Sequence, residues 1–159
     1  MAAFNAPSLK GRALRYLSMR EHSRFELLQK LAPFEEVSGE LLLALDDLEA
    51  KGFISDQRAA ESLVRRRGSR LGTSRVLYEL RAKGLDAETV QAATLELKTT
   101  ELERAHEVWR KKFGVPPVNP VARMKQMRFL AARGFAGDVV GRVVPRVDAG
   151  SDFPSALSD

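Results

Sequence analysis

Cysteine is absent from this 159-residue sequence, and histidine and tryptophan are scarce, with two and one residues. Without cysteine, disulfide frameworks, thiolate nucleophiles and cysteine-bound zinc are excluded, and a reducing compartment such as a bacterial cytoplasm fits the composition. His22 and His106 lie in unrelated segments, and neither has a second imidazole at the spacing of metal ligands. We therefore expect no metal site and no cofactor.

Long apolar runs are also missing. No stretch approaches the roughly 20 consecutive apolar residues that cross a bilayer. The opening MAAFNAPSLKGR lacks an apolar run of signal-peptide length. Because 44% of the residues are hydrophobic, most of the chain should fold. We expect a soluble, cytoplasmic protein that does not contact membranes.

Catalytic constellations are lacking as well. Gly68, Gly72 and Thr73 do not have the G-x-x-x-x-G-K-[ST] spacing of a phosphate-binding loop, and no apolar strand precedes them. The acidic segments 35–36 and 46–49 lie on the polar side of a helix, which favours a solvated face over metal binding or acid–base catalysis. No nucleophile can be paired with a base. The sequence therefore indicates a binding protein and not an enzyme.

Positive charge is what the chain has in excess, and it is unevenly placed. Basic and acidic residues number 8 and 10 in residues 1–64, 18 and 8 in residues 65–146, and 0 and 3 in residues 147–159, so the net charges are −2, +10 and −3. A positive field in the latter half favours phosphate backbones or an acidic protein surface as partners. The alternative is that these side chains only keep helices soluble.

Apolar residues recur at helical spacing along nearly the whole chain, and no segment sustains a period of two. The sequence therefore predicts an all-α protein. A capping box of Ser23 and Glu26 indicates one helix start. Further predicted N-caps are Asp56, Thr73 or Ser74, and Asp86. One later helix is predicted to end near Leu97 and the next to begin near Thr100.

The predicted helices fall into three cycles. Matching first-helix sets are Ala13, Tyr16, Leu17 and Arg20; Ala60, Leu63, Val64 and Arg67; and Ala105, Val108, Trp109 and Lys112. Matching second-helix pairs are Leu27 and Lys30, Leu80 and Lys83, and Leu130 and Arg133. This pattern predicts three tandem three-helix repeats in which each unit buries its apolar face partly against its neighbour. The predicted units are residues 9–54, 55–98 and 99–145, between a flexible N-terminus (1–8) and a disordered tail (146–159).

The basic residues of the second and third units form the candidate binding site. If the units stack with a small rotation, these residues form one continuous basic strip that can follow a phosphate backbone without reading bases. Tyr78, Trp109 and Phe129 are predicted to be core residues, which argues against an aromatic platform for single strands. The basic strip is predicted to contain Arg65, Arg66, Arg67, Arg70, Arg75, Arg81, Lys83, Arg110, Lys111, Arg123, Lys125 and Arg128.

Three motifs resemble those of the RecX family of bacterial regulatory proteins. They are Arg20, Ser23, Glu26 and Leu27; Gly52, Phe53, Ile54 and Asp56; and Gly72, Arg75, Val76, Glu79, Leu80, Lys83 and Gly84. The resemblance covers residues 9–144 and is weakest in the third unit. It implies three tandem three-helix units in an elongated, curved molecule.

The resemblance also implies a function. Members of this family bind the RecA recombinase filament on DNA, lodge in its helical groove, and inhibit or modulate its ATP hydrolysis, strand exchange and growth. The partner implied here is the RecA filament, with DNA as a second, sequence-independent partner, and we expect a monomer. The alternative is a direct DNA-binding regulator in which a three-helix unit acts as a helix-turn-helix and the helix from Thr73 to Lys83 enters the major groove.

Overall fold

A computed structural model describes residues 6–148, and over this range the chain is helical without strands, as predicted. The elements are α1 Leu9–Met19, α2 Arg24–Leu31, a 3-10 helix Ala32–Phe34, α3 Glu40–Ala50, α4 Asp56–Gly68, α5 Thr73–Ala82, α6 Ala87–Lys112, α7 Pro120–Ala132 and α8 Gly137–Val143. The predictions for residues 1–5 and 149–159 lie outside the described residues. Ser8, which we grouped with the flexible N-terminus, caps α1 by accepting a hydrogen bond from the Gly11 N–H at 3.0 Å.

All the predicted helix starts can be compared with the structure. Asp86 is confirmed as the N-cap of α6, whereas the prediction of Thr73 or Ser74 for α5 is wrong, because Gly72 takes that position. The capping box of α2 is confirmed: Ser23 Oγ accepts from the Glu26 N–H at 3.1 Å, and the Glu26 carboxylate accepts from the Ser23 N–H at 3.2 Å. Asp56 was the wrong cap for α4, because Ser55 takes that position and accepts from the Arg58 N–H. Asp56 is thereby left available for a contact with α2.

Each three-helix unit encloses its own hydrophobic core. Helices α1–α3 surround the first core, α4, α5 and the first part of α6 the second, and the rest of α6 with α7 and α8 the third. Leu27, Leu80 and Leu130, which the repeat aligns, are each fully buried in their units. Leu42 is 50% exposed, because it lies one residue away from the buried stripe of α3.

The second and third units share one helix. The two helices predicted on either side of residues 98–99 are a single helix, α6, of 26 residues. Thr99 and Thr100 do not interrupt it, because their hydroxyls donate to the carbonyls of Leu95 and Glu96, four residues earlier. At 1.5 Å per residue, α6 is a rod of about 39 Å that belongs to two cores.

Hydrogen bonds join neighbouring units, whose buried apolar residues form three separate clusters. In the first joint, Asp56 accepts from the backbone N–H of Arg24, the first residue of α2, at 2.9 Å. In the second, Glu101 accepts from the backbone N–H of Thr73, the first residue of α5, at 3.1 Å. Each carboxylate thus caps a helix of the preceding unit.

A second contact also recurs in both joints. In each joint, the N-cap residue of the second helix of one unit donates a hydrogen bond to a backbone carbonyl of the next unit. That carbonyl belongs to the C-cap residue of the next unit's second helix. Ser23 Oγ donates to the Lys83 carbonyl at 2.6 Å, and the Gly72 N–H donates to the Arg133 carbonyl at 2.8 Å. Gly72 is required there, because a Cβ at this position would overlap the backbone of Gly134. The units therefore form a tandem array with equivalent joints.

Candidate functional site: the basic strip

The centre of the predicted basic strip is the C-terminal end of α4 and the turn to α5. Arg65, Arg66 and Arg70 are exposed there, and none forms an ion pair with a carboxylate of the described residues. The first two lie in the last turn of α4, where a cation is also stabilised by the partial negative charge of the helix terminus. Three guanidinium groups are thus presented to solvent around one short turn.

Arg67 has a different environment from its neighbours. Its guanidinium group donates to the Glu79 carboxylate of α5, with N–O distances from 2.8 to 3.2 Å. The hydrogen bonds and the negative charge of Glu79 raise the pKa of Arg67. Arg67 therefore fastens α4 to α5 and has less of its charge available for a partner.

The turn itself is held by a residue that belongs to none of the predicted motifs. Arg104 of α6 lies beneath the turn and donates to the carbonyls of Gly68 and Leu71 and to the hydroxyl of Thr73. Burial lowers the pKa of Arg104, and the nearby charge of Glu101 opposes that effect. Three of the hydrogen bonds from Arg104 fix carbonyls of the turn and of α6, and a fourth reaches the Thr73 hydroxyl. The turn that carries the three exposed arginines is therefore held in place by charge-assisted hydrogen bonds.

The outer face of α5 carries Arg75, Tyr78 and Arg81 at three-residue spacing. All three are exposed, and Tyr78 is 74% exposed, so its prediction as a core residue is wrong. The inward face of α5 is filled by Val76 and Leu80 instead. Arg75 also contributes to the second joint, because its guanidinium group donates to the Ala132 carbonyl at 3.0 Å. The strip therefore contains an exposed aromatic ring between two arginines.

Lys83 is placed in the first joint. Its ammonium group lies 3.2 Å from the Glu26 carboxylate, which also accepts from Arg20 at 2.8 Å. Burial opposes ionisation of Glu26, but hydrogen bonds from Arg20, from the backbone N–H of Ser23 and from Lys83 outweigh it and lower the pKa of Glu26 to about 2. Lys83 thus neutralises a buried carboxylate of the preceding unit.

Some basic residues of the third unit also contact other groups of the protein, whereas others are exposed without an ion pair. Arg110 pairs with Glu107 at 3.1 Å on the surface of α6. Arg123 is half-buried and donates to the Pro145 carbonyl at 3.2 Å, near the end of α8. Lys111, Lys125 and Arg128 are exposed and form no ion pair within the described part of the chain.

The structure thus separates the twelve predicted strip residues into two groups. Five make intramolecular contacts with carboxylates or carbonyls: Arg67, Arg75, Lys83, Arg110 and Arg123. Seven are exposed without an ion pair among the described residues: Arg65, Arg66, Arg70, Arg81, Lys111, Lys125 and Arg128. We call these seven the free cations of the strip.

The histidines do not form a site with other ligands. Between residues 6 and 148, no group of three or more histidine, aspartate or glutamate residues is arranged to hold a metal ion. His22 is buried: its Nδ1 lies 3.0 Å from the Arg20 carbonyl and its Nε2 lies 3.3 Å from Lys30 Nζ. Burial lowers the pKa of His22. None of the helices in the described range is both long and apolar enough to span a membrane.

Comparison with known proteins shows which family has this architecture. Residues 55–93 match the family described as RecX, second three-helix domain, and residues 99–144 match RecX, third three-helix domain. A regulatory protein RecX of Leptothrix cholodnii is 49% identical over 92% of this chain and 94% of that protein. The chain belongs to the RecX family of regulatory proteins. A RecX of Ralstonia nicotianae is 46% identical, with 89% of each chain covered.

Solved RecX structures share the fold of this chain. The crystal structure of RecX from Lactobacillus salivarius superposes with a TM-score of 0.68 at 21% identity, covering 85% of this chain and 91% of that one. Another regulatory protein RecX superposes with a TM-score of 0.66 over 85% of this chain. Both support the repeated helical array described above.

The motifs that resemble the RecX family meet at the first joint. Ser23 and Glu26 from the first motif contact Lys83 from the third, and Asp56 from the second caps α2. Gly84 follows Lys83 with a φ of 66°, and a Cβ there would overlap the Phe25 ring. These RecX residues therefore hold neighbouring units together, whereas the free cations lie outside the joints.

Proposed function

We propose that this RecX protein binds the RecA recombinase filament on DNA and inhibits or modulates its ATP hydrolysis, strand exchange and growth. The cluster of Arg65, Arg66 and Arg70 is the observation that carries the proposal, because exposed arginines without ion pairs are available for phosphates or acidic protein surfaces. Membership of a family of regulatory proteins supports the same conclusion. The filament forms in the cytoplasm, which is where we expect the protein to act.

The geometry supports binding across more than one filament subunit. The arginine cluster lies beside the middle of α6, where Arg104 contacts the turn, whereas Lys111 lies in the last turn of this helix and Lys125 and Arg128 lie on α7. A basic surface distributed in this way can contact DNA phosphates and acidic patches of several subunits. Such contacts weaken as salt increases, because exposed charges are screened within about 8 Å at physiological ionic strength.

The first test is a titration of RecA ATPase activity on single-stranded DNA with this protein. We expect inhibition, and the stoichiometry separates two modes of action. Inhibition at a small fraction of the RecA concentration indicates that filament ends are capped, whereas inhibition near equal concentrations indicates that the groove is coated. Unchanged ATPase activity and unchanged filament growth would contradict the proposal.

The second test uses charge reversal with a matched control. The triple variant Arg65→Glu, Arg66→Glu, Arg70→Glu should retain its helical fold and melting temperature but inhibit the filament much less at moderate salt. The control Arg15→Glu, Lys98→Glu, Arg142→Glu makes the same change in net charge at exposed residues scattered over the units. Equal inhibition of the filament by the two triple variants would contradict the basic-strip mechanism.

The second candidate function is direct DNA binding, and the exposed row of Arg75, Tyr78 and Arg81 favours it. A recognition helix reads bases mainly through its N-terminal residues. Here the start of α5 contacts the third unit, because Ser74 Oγ donates to the Gly134 carbonyl at 2.7 Å and Arg75 donates to Ala132. This geometry favours sequence-independent DNA contacts over a helix-turn-helix mode. A repressor would prefer one duplex sequence by orders of magnitude at fixed salt, and a competition gel measures that preference.

A further inference from the structure

An acidic groove lies on the second unit, between α4 and α6. Its volume is about 410 Å³. Its apolar lining is made of small side chains, Ala60, Ala92 and Ala93, together with Val64. Small residues in a groove between two helices allow a third helix to approach closely. Such a lining suits a groove that binds one face of a helix.

The rim of this groove is negatively charged in a protein whose net charge is +5. Glu61 of α4 and Glu88 and Glu96 of α6 line it and are exposed. No lysine or arginine of residues 6–148 pairs with any of these three carboxylates. An apolar groove with this rim favours a basic amphipathic helix as its occupant.

One helix of this chain has the complementary face. On α7, Val121 and Met124 are 79% and 48% exposed, and the free cations Lys125 and Arg128 are exposed beside them. These four residues occupy positions i, i+3, i+4 and i+7, the spacing of a helix that inserts one face into a groove. They extend over about 10 Å of helix, and Glu88 and Glu96 are separated by about 12 Å along α6.

We propose that α7 of one copy docks in the groove between α4 and α6 of a second copy. Val121 and Met124 face the alanines of the groove, and Lys125 and Arg128 face the glutamates. The groove belongs to the second unit and the docking helix to the third, so the contact is head-to-tail and leaves a free groove at one end and a free α7 at the other. Several copies can therefore line up in a row. This departs from the monomer that we expect from the sequence, and it does not depend on the proposed RecA interaction.

The contact is small and therefore weak, because one helix face in one groove falls below the area of a standard protein interface. The protein should be a monomer in dilute solution and associate as its concentration rises. Sedimentation velocity over a wide concentration range measures this behaviour directly. A wild-type protein that remains monomeric at the highest concentration overturns the proposal.

Two charge-reversal variants locate the contact. The groove variant Glu61→Lys, Glu88→Lys has a basic groove and a basic α7, and the helix variant Lys125→Glu, Arg128→Glu has an acidic groove and an acidic α7. Each alone should associate about tenfold more weakly than the wild type, because like charges then meet. An equimolar mixture should associate again, because the native α7 of the groove variant fits the native groove of the helix variant.

The control variant Glu36→Lys, Glu103→Lys changes exposed acidic residues outside the groove and should associate like the wild type. Circular dichroism melting curves check that all variants fold. Undiminished association of either charge-reversal variant alone, or a mixture that fails to associate, overturns the proposed contact.

Discussion

The ammonium group of Lys112 lies 5.4 Å from the centroid of the Phe129 ring. This pair occupies the position that Arg67 and Glu79 occupy in the second unit, because Lys112 aligns with Arg67 and Phe129 precedes the aligned Leu130 as Glu79 precedes Leu80. The first unit has the ion pair Arg20–Glu26 at the same place. Each unit therefore fastens its first helix to its second through a cation, and the third unit replaces the carboxylate by an aromatic ring.

Salt should distinguish the two kinds of contact. A double-mutant cycle with Arg67→Gln and Glu79→Gln should give a coupling energy of up to about 1 kcal/mol that decreases as salt is added. A cycle with Lys112→Gln and Phe129→Leu should give a coupling of similar size that changes less with salt, because the ring has no net charge. Urea unfolding at low and high salt measures both. An equal loss of coupling in the two cycles would contradict this interpretation of Lys112 and Phe129.

Glu26 should make stability depend on pH. Its pKa in the folded state is about 2, below its ordinary value of 4.5. A lowered pKa contributes stability that is complete above about pH 4.5 and is lost as the pH falls toward 2. Glu26→Gln should therefore cost about 3 kcal/mol at neutral pH and progressively less in acid. Urea unfolding at several pH values tests this, with the exposed Glu36→Gln as control. A cost that does not change with pH would show that the carboxylate is not stabilised as a charge.

Gly72→Ala should damage the second joint. The added Cβ would overlap the Gly134 backbone, so residue 72 must move. Its hydrogen bond to the Arg133 carbonyl is then strained. We expect a loss of about 1 to 3 kcal/mol in unfolding free energy. Gly137→Ala is the matched control, because no atom lies within 4 Å of a Cβ there. Equal stability of the two variants would mean that the units do not meet as closely as described.

Tyr78 should affect nucleic-acid binding without affecting stability. Because its ring is 74% exposed, Tyr78→Ala should change the free energy of unfolding by less than about 0.5 kcal/mol. If bases stack on the ring between Arg75 and Arg81, the affinity for single-stranded DNA should fall about tenfold, and Tyr78→Phe should retain it. Fluorescence anisotropy at fixed salt measures the affinity, and Leu95→Ala, another exposed residue of this unit, is the control. Equal affinities for all four proteins would exclude stacking on Tyr78.

Much of the fold could be predicted from local sequence signals. The capping box at Ser23 and Glu26 depends on residues close together in the chain, and it is confirmed. The core positions Leu27, Leu80 and Leu130 follow from the helical spacing within each repeat, and all three are buried. The continuity of α6 was missed because Thr99 and Thr100 are weak helix formers that satisfy their hydroxyls within the helix.

The candidate site could be predicted only in part. Basic residues are visible in the sequence, but whether a cation is free depends on partners brought near by folding, as with Lys83 and Glu26, which are 57 residues apart. The pairing of Arg67 with Glu79 had a signal, because Arg20 and Glu26 are the aligned residues of the first unit. No sequence signal indicated that Arg104 holds the turn, because its acceptors are mostly backbone carbonyls.

Because α6 is one uninterrupted rod, the arginine cluster of the second unit and the free cations of the third are held at a nearly constant separation. A partner that engages one group meets the other already in position, so the second contact is intramolecular and benefits from a high effective concentration. Two weak attachments can then act as one strong one, but only on a surface whose own repeat matches that spacing. The helix that joins the two units therefore sets the distance that must separate the two contact sites on the partner.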